Sequence, residues 1–186
     1  MDISSIMTAL LSDESVQSLG KKSGASDEMV ESILESALPM LLKGANEQAT
    51  NANTAASFAG ALMQHAKSDT SDLSAYMDGV DLEDGAKIIA HLLGVESADK
   101  KESVSQKAGA DIKTTTTVLA MAAPLLMSLL GKQTEVQNEQ ADVGGLMGNL
   151  LGGVDVGNVA SLLLGKKKKE GLDLGSIASL LCKLLK

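Results

Sequence analysis

The chain of 186 residues has no arginine and no tryptophan, and Phe58 and Tyr76 are its only aromatic residues. Arginine is the residue that best reads guanine and phosphate through paired hydrogen bonds. Its absence, together with a net charge of -8, argues against a nucleic-acid partner, because phosphates repel an acidic surface. Ala, Leu and Met dominate the apolar residues, and such unbranched side chains favour helices over strands. The composition therefore predicts an all-α fold.

Features of secreted and membrane-spanning proteins are also scarce. The single cysteine, Cys182, excludes an internal disulfide framework and fits a reducing compartment. The first residues, Met1 to Ser5, lack the positive charge and the long apolar run of a secretory signal. No run of about 18 apolar residues is present, so we expect no membrane-spanning helix. These absences predict a cytoplasmic location.

Motifs for catalysis are missing as well. We find no nucleophile elbow, no phosphate-binding glycine loop and no metalloprotease helix. His65 and His91 lie far apart in sequence. We expect His91 to be a packed or half-buried side chain of its helix and not a metal ligand. An acidic cluster lacks the spacing of a calcium loop and is better explained as a helix start: Asp78, Asp81, Glu83 and Asp84. We expect no enzymatic activity, no cofactor, no metal and no small-molecule substrate.

What the chain does contain is one pattern that occurs twice. Gly24 and Gly109 each stand between small residues, and the only two prolines, Pro39 and Pro124, follow these glycines at the same spacing. The apolar residues between glycine and proline also match in position. Such a match predicts two copies of one helical unit, over about residues 12–44 and 97–131. Within each copy the spacing of small, turn and apolar residues is that of a helix-turn-helix.

Caps and apolar spacing predict where the helices begin and end. A short opening helix precedes a helix that Ser12 caps and Gly24 breaks; the next helix starts at Ser26 and ends at Gly44. The polar residues 45–54 predict a loop, and helices over 55–67 and 82–93 join the two copies. The long helix of the second copy is expected to run from about Ile112 to Leu130, with Gly131 at its end. The two prolines are expected to kink or split their helices.

The helix-turn-helix pattern is expected to serve as architecture only. A recognition helix must present Arg, Lys, Asn or Gln to base edges. The first candidate helix instead begins Asp27-Glu28-Met29-Val30-Glu31, which phosphates would repel, and the second offers Lys113 and four threonines. A fold of this kind does not by itself imply DNA binding.

A polar linker, residues 132–140, is predicted to separate this body from a tail, residues 141–186. In the tail Asp142, Asp155 and Asp173 each precede an apolar run and can cap a helix of three turns or fewer. Helices this short need an apolar surface to lie on. The body, another copy of the chain or a membrane can provide it, and the basic run Lys166–Lys169 suits an anionic membrane. The residues expected to make the contact are Leu162, Leu163, Ile177, Leu180, Leu181 and Leu184.

The two glycine-to-proline segments, each ending in Leu-Pro or Ala-Pro before an apolar pair, resemble the YidB-like family of bacterial proteins of unknown function. The segment from Asp84 to Gly94 resembles it too, and the similarity covers roughly residues 1–131. The resemblance implies a multihelical fold with homeodomain-like packing. It implies no activity, no cofactor and no catalytic residues.

Taken together, the sequence predicts an all-α, multihelical protein. Two related homeodomain-like helical subdomains, from an internal duplication, are followed by a tail of short amphipathic helices. The expected role is that of a non-enzymatic protein-interaction or self-assembly module, whose partner is itself, as a homo-oligomer, or another protein. One alternative is a membrane-surface protein anchored by the C-terminal amphipathic helix. The charge and the missing arginines oppose the other alternative, a DNA-binding protein.

Overall fold

The structure is a computed structural model that describes residues 3–137, and within this range it is built of helices and turns with no strand. The predicted all-α fold is therefore confirmed for this part of the chain. The helices are α1 (Ile3–Leu10), α2 (Asp13–Ser23), α3 (Asp27–Thr50), α4 (Ala55–Ala66), α5 (Leu73–Asp78), α6 (Leu82–Leu93), α7 (Ser97–Ala108) and α8 (Ile112–Gln137). A short 3-10 turn, Gly94–Glu96, connects α6 to α7.

Helix α8 is the centre of the domain. Every residue from Val118 to Ser128 is buried, and α8 contacts α1, α2, α3, α4, α6 and α7. A helix that is apolar on all sides has to be surrounded by other elements. The other long helix, α3, packs against α4, α6 and α7 as well as α8, so α4 and α6 are held between the two long helices.

One helical stretch in the described range, Ile112–Gln133, is long and apolar enough to cross a membrane by length and composition alone. This stretch contradicts the expectation of no such run, because small Ala, Thr and Ser residues interrupt its leucines without adding charge. Of its most apolar window, 78% is buried inside the domain. A core helix passes the same test, so this stretch is weak evidence for a membrane span.

The predicted helix starts and tight turns are confirmed. Ser12 and Ser26 accept hydrogen bonds from the backbone N–H groups of Ser15 and Met29, both at 3.3 Å. Asp81 caps α6 by accepting from two backbone N–H groups, which confirms that the acidic cluster begins a helix. Gly24 and Gly109 have φ of +74° and +64°, a left-handed conformation that glycine adopts without the steric cost of a Cβ.

Two predicted helix ends are wrong. Helix α3 continues past Gly44 to Thr50, so residues 45–50 of the predicted 45–54 loop are helical. Helix α8 continues past Gly131 to Gln137, into the segment predicted as the 132–140 linker. Both glycines serve close helix packing instead. A Cβ on Gly44 would lie 1.8 Å from the carbonyl oxygen of Leu92 in α6, and one on Gly131 would lie 2.2 Å from that of Leu62 in α4.

The prolines do not split their helices, because Pro39 lies inside α3 and Pro124 inside α8. Helix α5 was not predicted: its six residues are too few for a clear helical pattern, and only Met77 among them is fully buried. Lys22 of α2 holds this short helix in place. Its Nζ donates to the carbonyl oxygen of Met77 at 2.6 Å and pairs with Asp78 at 3.1 Å.

Candidate functional site

An apolar groove opens on the surface where α3, α4, α6 and α8 meet. It encloses a cavity of about 180 Å³. Its floor and walls are apolar, and its rim carries three polar side chains. The lining residues are Phe58, Ala61, Ile88, Leu92 and Met127, with Gln48, Ser57 and His91 at the rim. We call this site the α3/α4/α6/α8 groove.

Core side chains line the groove. Phe58 and Ile88, at 7% and 8% exposed, have the highest exposure of all buried apolar side chains in the described range, and both line the groove. The amide Nε2 of Gln48 donates to the backbone carbonyl of His91 at 3.0 Å. This bond joins α3 to α6 at the rim and holds the groove walls at a fixed spacing.

The groove offers an apolar surface for binding. His91 is the one ionisable side chain in its lining, and the remaining polar groups are an amide and a hydroxyl. A cavity of ~150 Å³ lined by Leu, Ile and Phe holds a benzene molecule, so about 180 Å³ is enough for a branched aliphatic side chain. Amphipathic helices bind in this way, with side chains at i, i+3, i+4 and i+7 entering an apolar groove.

A second, more polar cleft lies between α4, α5 and α6, and we call it the His65 cleft. His65 Nε2 stands 3.5 Å from Asp84 Oδ2, and Tyr76 and Asp81 also line the cleft. Burial raises the pKa of Tyr76 to about 12, and the nearby Asp84 carboxylate acts in the same direction. Within residues 3–137 no three His, Cys, Asp or Glu side chains come together in a way that could hold a metal ion.

The histidines therefore occupy different sites. His91 is exposed at the groove rim, so the expectation of a packed or half-buried His91 was wrong: the apolar face of α6 turns Leu92 inward and His91 outward. His65 is half-buried and faces Asp84, a pair that sequence reasoning missed. His65 lies on α4 and Asp84 on α6, and no motif in the sequence links the two residues. The packing of Gly85 against α8 fixes the position of the neighbouring Asp84.

The predicted structural residues lie at the turns and within the long helices. Gly24 and Gly109 end α2 and α7, and Pro124 is buried and lines the His65 cleft, whereas Pro39 is half-buried on α3. The predicted tail contacts fall outside the described residues: Leu162, Leu163, Ile177, Leu180, Leu181 and Leu184.

The candidate recognition helices present few groups that could contact a nucleic acid. At the start of α3, Asp27, Glu28 and Glu31 are exposed carboxylates. At the start of α8, Ile112 and Lys113 are exposed, and Ile112 retains 49% of its surface. Acidic side chains at the end of a helix that would enter a groove repel phosphates.

Comparison with known families identifies one match, and it covers residues 5–133: the family described as "Bacterial protein of unknown function (DUF937)". Comparison with curated proteins and with solved structures finds no match. The matched range includes every helix from α2 to α7 and most of α1 and α8. The chain therefore belongs to the DUF937 family of bacterial proteins of unknown function, which is the YidB-like family that its sequence resembles.

Proposed function

We propose that this protein is a non-enzymatic interaction module that assembles with copies of itself in the cytoplasm. The observation that carries the proposal is the α3/α4/α6/α8 groove, an apolar site that opens to solvent, in a chain whose residues 138–186 are rich in leucine. An apolar groove that opens to solvent is the kind of site in which the apolar face of a partner helix binds. An apolar groove and an apolar segment on the same sequence can join copies of the chain, as a closed ring or pair where the geometry closes.

The proposal includes the internal duplication, with residues 12–44 and 97–131 as two homeodomain-like copies. Three features support it. The turns at Gly24 and Gly109 have the same left-handed conformation. Leu19 and Val104, which occupy equivalent positions in the two copies, are both buried. The same two positions also approach each other in both copies. Ser105 Oγ donates to the carbonyl oxygen of Ala110 at 2.6 Å. In the first copy the equivalent pair is Gly20 and Ala25, and a Cβ on Gly20 would lie 3.0 Å from the carbonyl oxygen of Ala25.

The alternative is a membrane-surface protein that binds anionic lipid through the same tail, and Lys166–Lys169 favour it. The domain itself favours a protein partner. Its described residues, 3–137, contain 18 acidic and 10 basic side chains, so an anionic membrane would repel the body. A DNA partner faces the same repulsion, and the first candidate recognition helix, α3, starts with carboxylates.

The test is a charge placed on the apolar side of the tail. In a helix, Leu180 falls on the same side as Ile177 and Leu184, whereas Ser179 falls on the opposite side. We expect Leu180→Asp to lower the mass of the particle in light scattering, because burying a carboxylate in place of a leucine costs a few kcal/mol. Ser179→Asp adds the same charge to the same segment and is expected to leave the mass unchanged.

Circular dichroism of both variants provides the control, since the helical signal of the body should be retained. A particle whose mass does not respond to Leu180→Asp, but whose binding to phosphatidylserine vesicles is lost, would establish the membrane alternative. A wild-type protein that is monomeric and does not bind vesicles would refute both self-assembly and membrane binding.

A further inference from the structure

We propose that the α3/α4/α6/α8 groove is the receptor for one segment of this polypeptide, Ile177 to Leu184. In this inference the segment comes from a second copy of the chain, and that part alone rests on the proposed function. The groove is an apolar site open to solvent, and the segment has the apolar pattern that such a site binds. The groove and the segment match in size, spacing, reach and charge.

The cavity has the size of an apolar side chain, and the segment has the apolar spacing of a helix that binds in a groove. The cavity of about 180 Å³ exceeds the ~150 Å³ that accommodates benzene, so one leucine side chain fits with room for part of a neighbour. Ile177, Leu180, Leu181 and Leu184 stand at i, i+3, i+4 and i+7, the spacing of side chains that enter a groove from one helix. The rim residue His91 and the amide of Gln48 suit the polar edge of such a helix.

Reach is the next requirement. Met127 lines the groove and α8 ends at Gln137, a distance of ~15 Å along the helix axis. Residues 138–176 connect Gln137 to the segment. A connection of this length spans ~58 Å as a helix and on the order of 130 Å when fully extended. Both lengths exceed ~15 Å, so the segment can reach the groove of its own chain or of a neighbour.

Charge selects this segment over the other leucine-rich part of the tail. Residues 166–186 contain six lysines and two acidic residues, whereas the stretch 141–165 contains Asp142, Asp155 and no lysine. The body, residues 3–137, has eight more acidic than basic side chains. A basic helix is therefore attracted to the body, and complementary charge favours encounter and orientation.

The composition of the chain allows a direct experiment on the full-length protein. Phe58 is the only phenylalanine and lies in the groove, so 4-fluorophenylalanine gives a single ¹⁹F resonance from that site. Cys182 is the only cysteine, lies within the segment, and on a helix falls away from the Ile177–Leu184 stripe. A nitroxide spin label on Cys182 broadens the ¹⁹F resonance only when the segment lies near the groove.

The labels are placed first on separate chains and mixed, and then on the same chain diluted with unlabelled protein. With the spin-labelled chains in excess, we expect most of the ¹⁹F signal of the mixed sample to be lost and to return when ascorbate reduces the nitroxide. Broadening only when both labels share a chain would support the docking site and refute self-assembly through it. An unbroadened signal in both samples would overturn the inference, whatever mass light scattering records.

A variant that fills the groove tests the position of the contact. Ala61 lines the groove, and Ala56, on the same helix α4, is exposed and outside it. We expect Ala61→Phe to abolish the broadening, read from the methyl resonance of Met127, and Ala56→Phe to leave it intact. Broadening that persists in Ala61→Phe would place the segment elsewhere on the body and overturn the assignment.

Discussion

Helix α6 approaches α8 so closely at Gly85 that the smallest substitution there should have a large effect. A Cβ at Gly85 would lie 1.7 Å from the carbonyl oxygen of Ala120 and 2.7 Å from its carbonyl carbon. Carbon and oxygen normally approach no closer than ~3.3 Å. Gly85→Ala therefore requires α6 to move away from α8 by roughly 1.6 Å, and no side-chain rotation can relieve a clash with a backbone.

The cost follows from the position of α6. Overpacking of a core costs ~1–3 kcal/mol and sometimes more. A gap of about 0.5–1 Å already removes about a quarter to a half of the dispersion energy of the atoms that face it. Alanine recovers about 1 kcal/mol through its better helix propensity. We expect a net loss of about 3 kcal/mol in the free energy of unfolding, with Ile88, Ile89 and Leu92 losing most of their contacts.

The assay is urea denaturation followed by circular dichroism. With an m-value of ~2 kcal/mol/M, Gly85→Ala should lower the urea midpoint by about 1.5 M. Gly60 on α4 is the matched control, because it is exposed and a Cβ there meets nothing within 4 Å. Gly60→Ala should raise the midpoint by about 0.5 M. A Gly85→Ala protein that is as stable as the wild type would refute the close approach of α6 to α8.

Two further predictions concern buried polar groups. Thr115 is fully buried and its hydroxyl has no hydrogen-bond partner, so Thr115→Val should raise the free energy of unfolding by about 1 kcal/mol; Thr117→Val, which loses a bond to the Lys113 carbonyl, should not, and a destabilised Thr115→Val would contradict this account. The pKa of Tyr76 is raised from 10 to about 12, so its contribution to stability is complete below pH 10 and is lost as the pH rises towards 12. Absorbance titration of this single tyrosine measures the shift, and Asp84→Asn should reverse only part of it, because burial is the larger cause; a pKa near 10 in the wild type would contradict the burial.

Helix starts were predictable from sequence because each is a local hydrogen bond. Ser12, Ser26 and Asp81 bond to backbone groups two or three positions away, so the signal and its effect lie in the same short stretch of chain. The left-handed turns at Gly24 and Gly109 are local in the same sense. The all-α fold was predictable for another reason, since it followed from the composition of the apolar residues.

Helix ends were less predictable because glycine has two uses. At Gly24 the missing Cβ permits a positive φ, whereas at Gly44 and Gly131 it permits another helix to come close. Each glycine follows a stretch with helical apolar spacing, and only the tertiary structure separates the cases. The same limit applies to the candidate sites. Phe58 and Ile88 could be recognised as apolar, but the groove that they share depends on how α4 and α6 cross α8.

The central position of α8 sets the order in which the domain can fold. Helices α4 and α6 pack mainly on α8, and α1 and α2 also rest on it. Since α8 is the last of these helices to be synthesised, the earlier ones emerge from the ribosome before the surface that they cover exists. The contacts between α1 and α8 join opposite ends of the described chain, and closing such long loops slows folding. The apolar residues of α3, α4 and α6 that contact α8 are thus exposed until α8 has been synthesised. The hydrophobic core is therefore completed in one late step of folding.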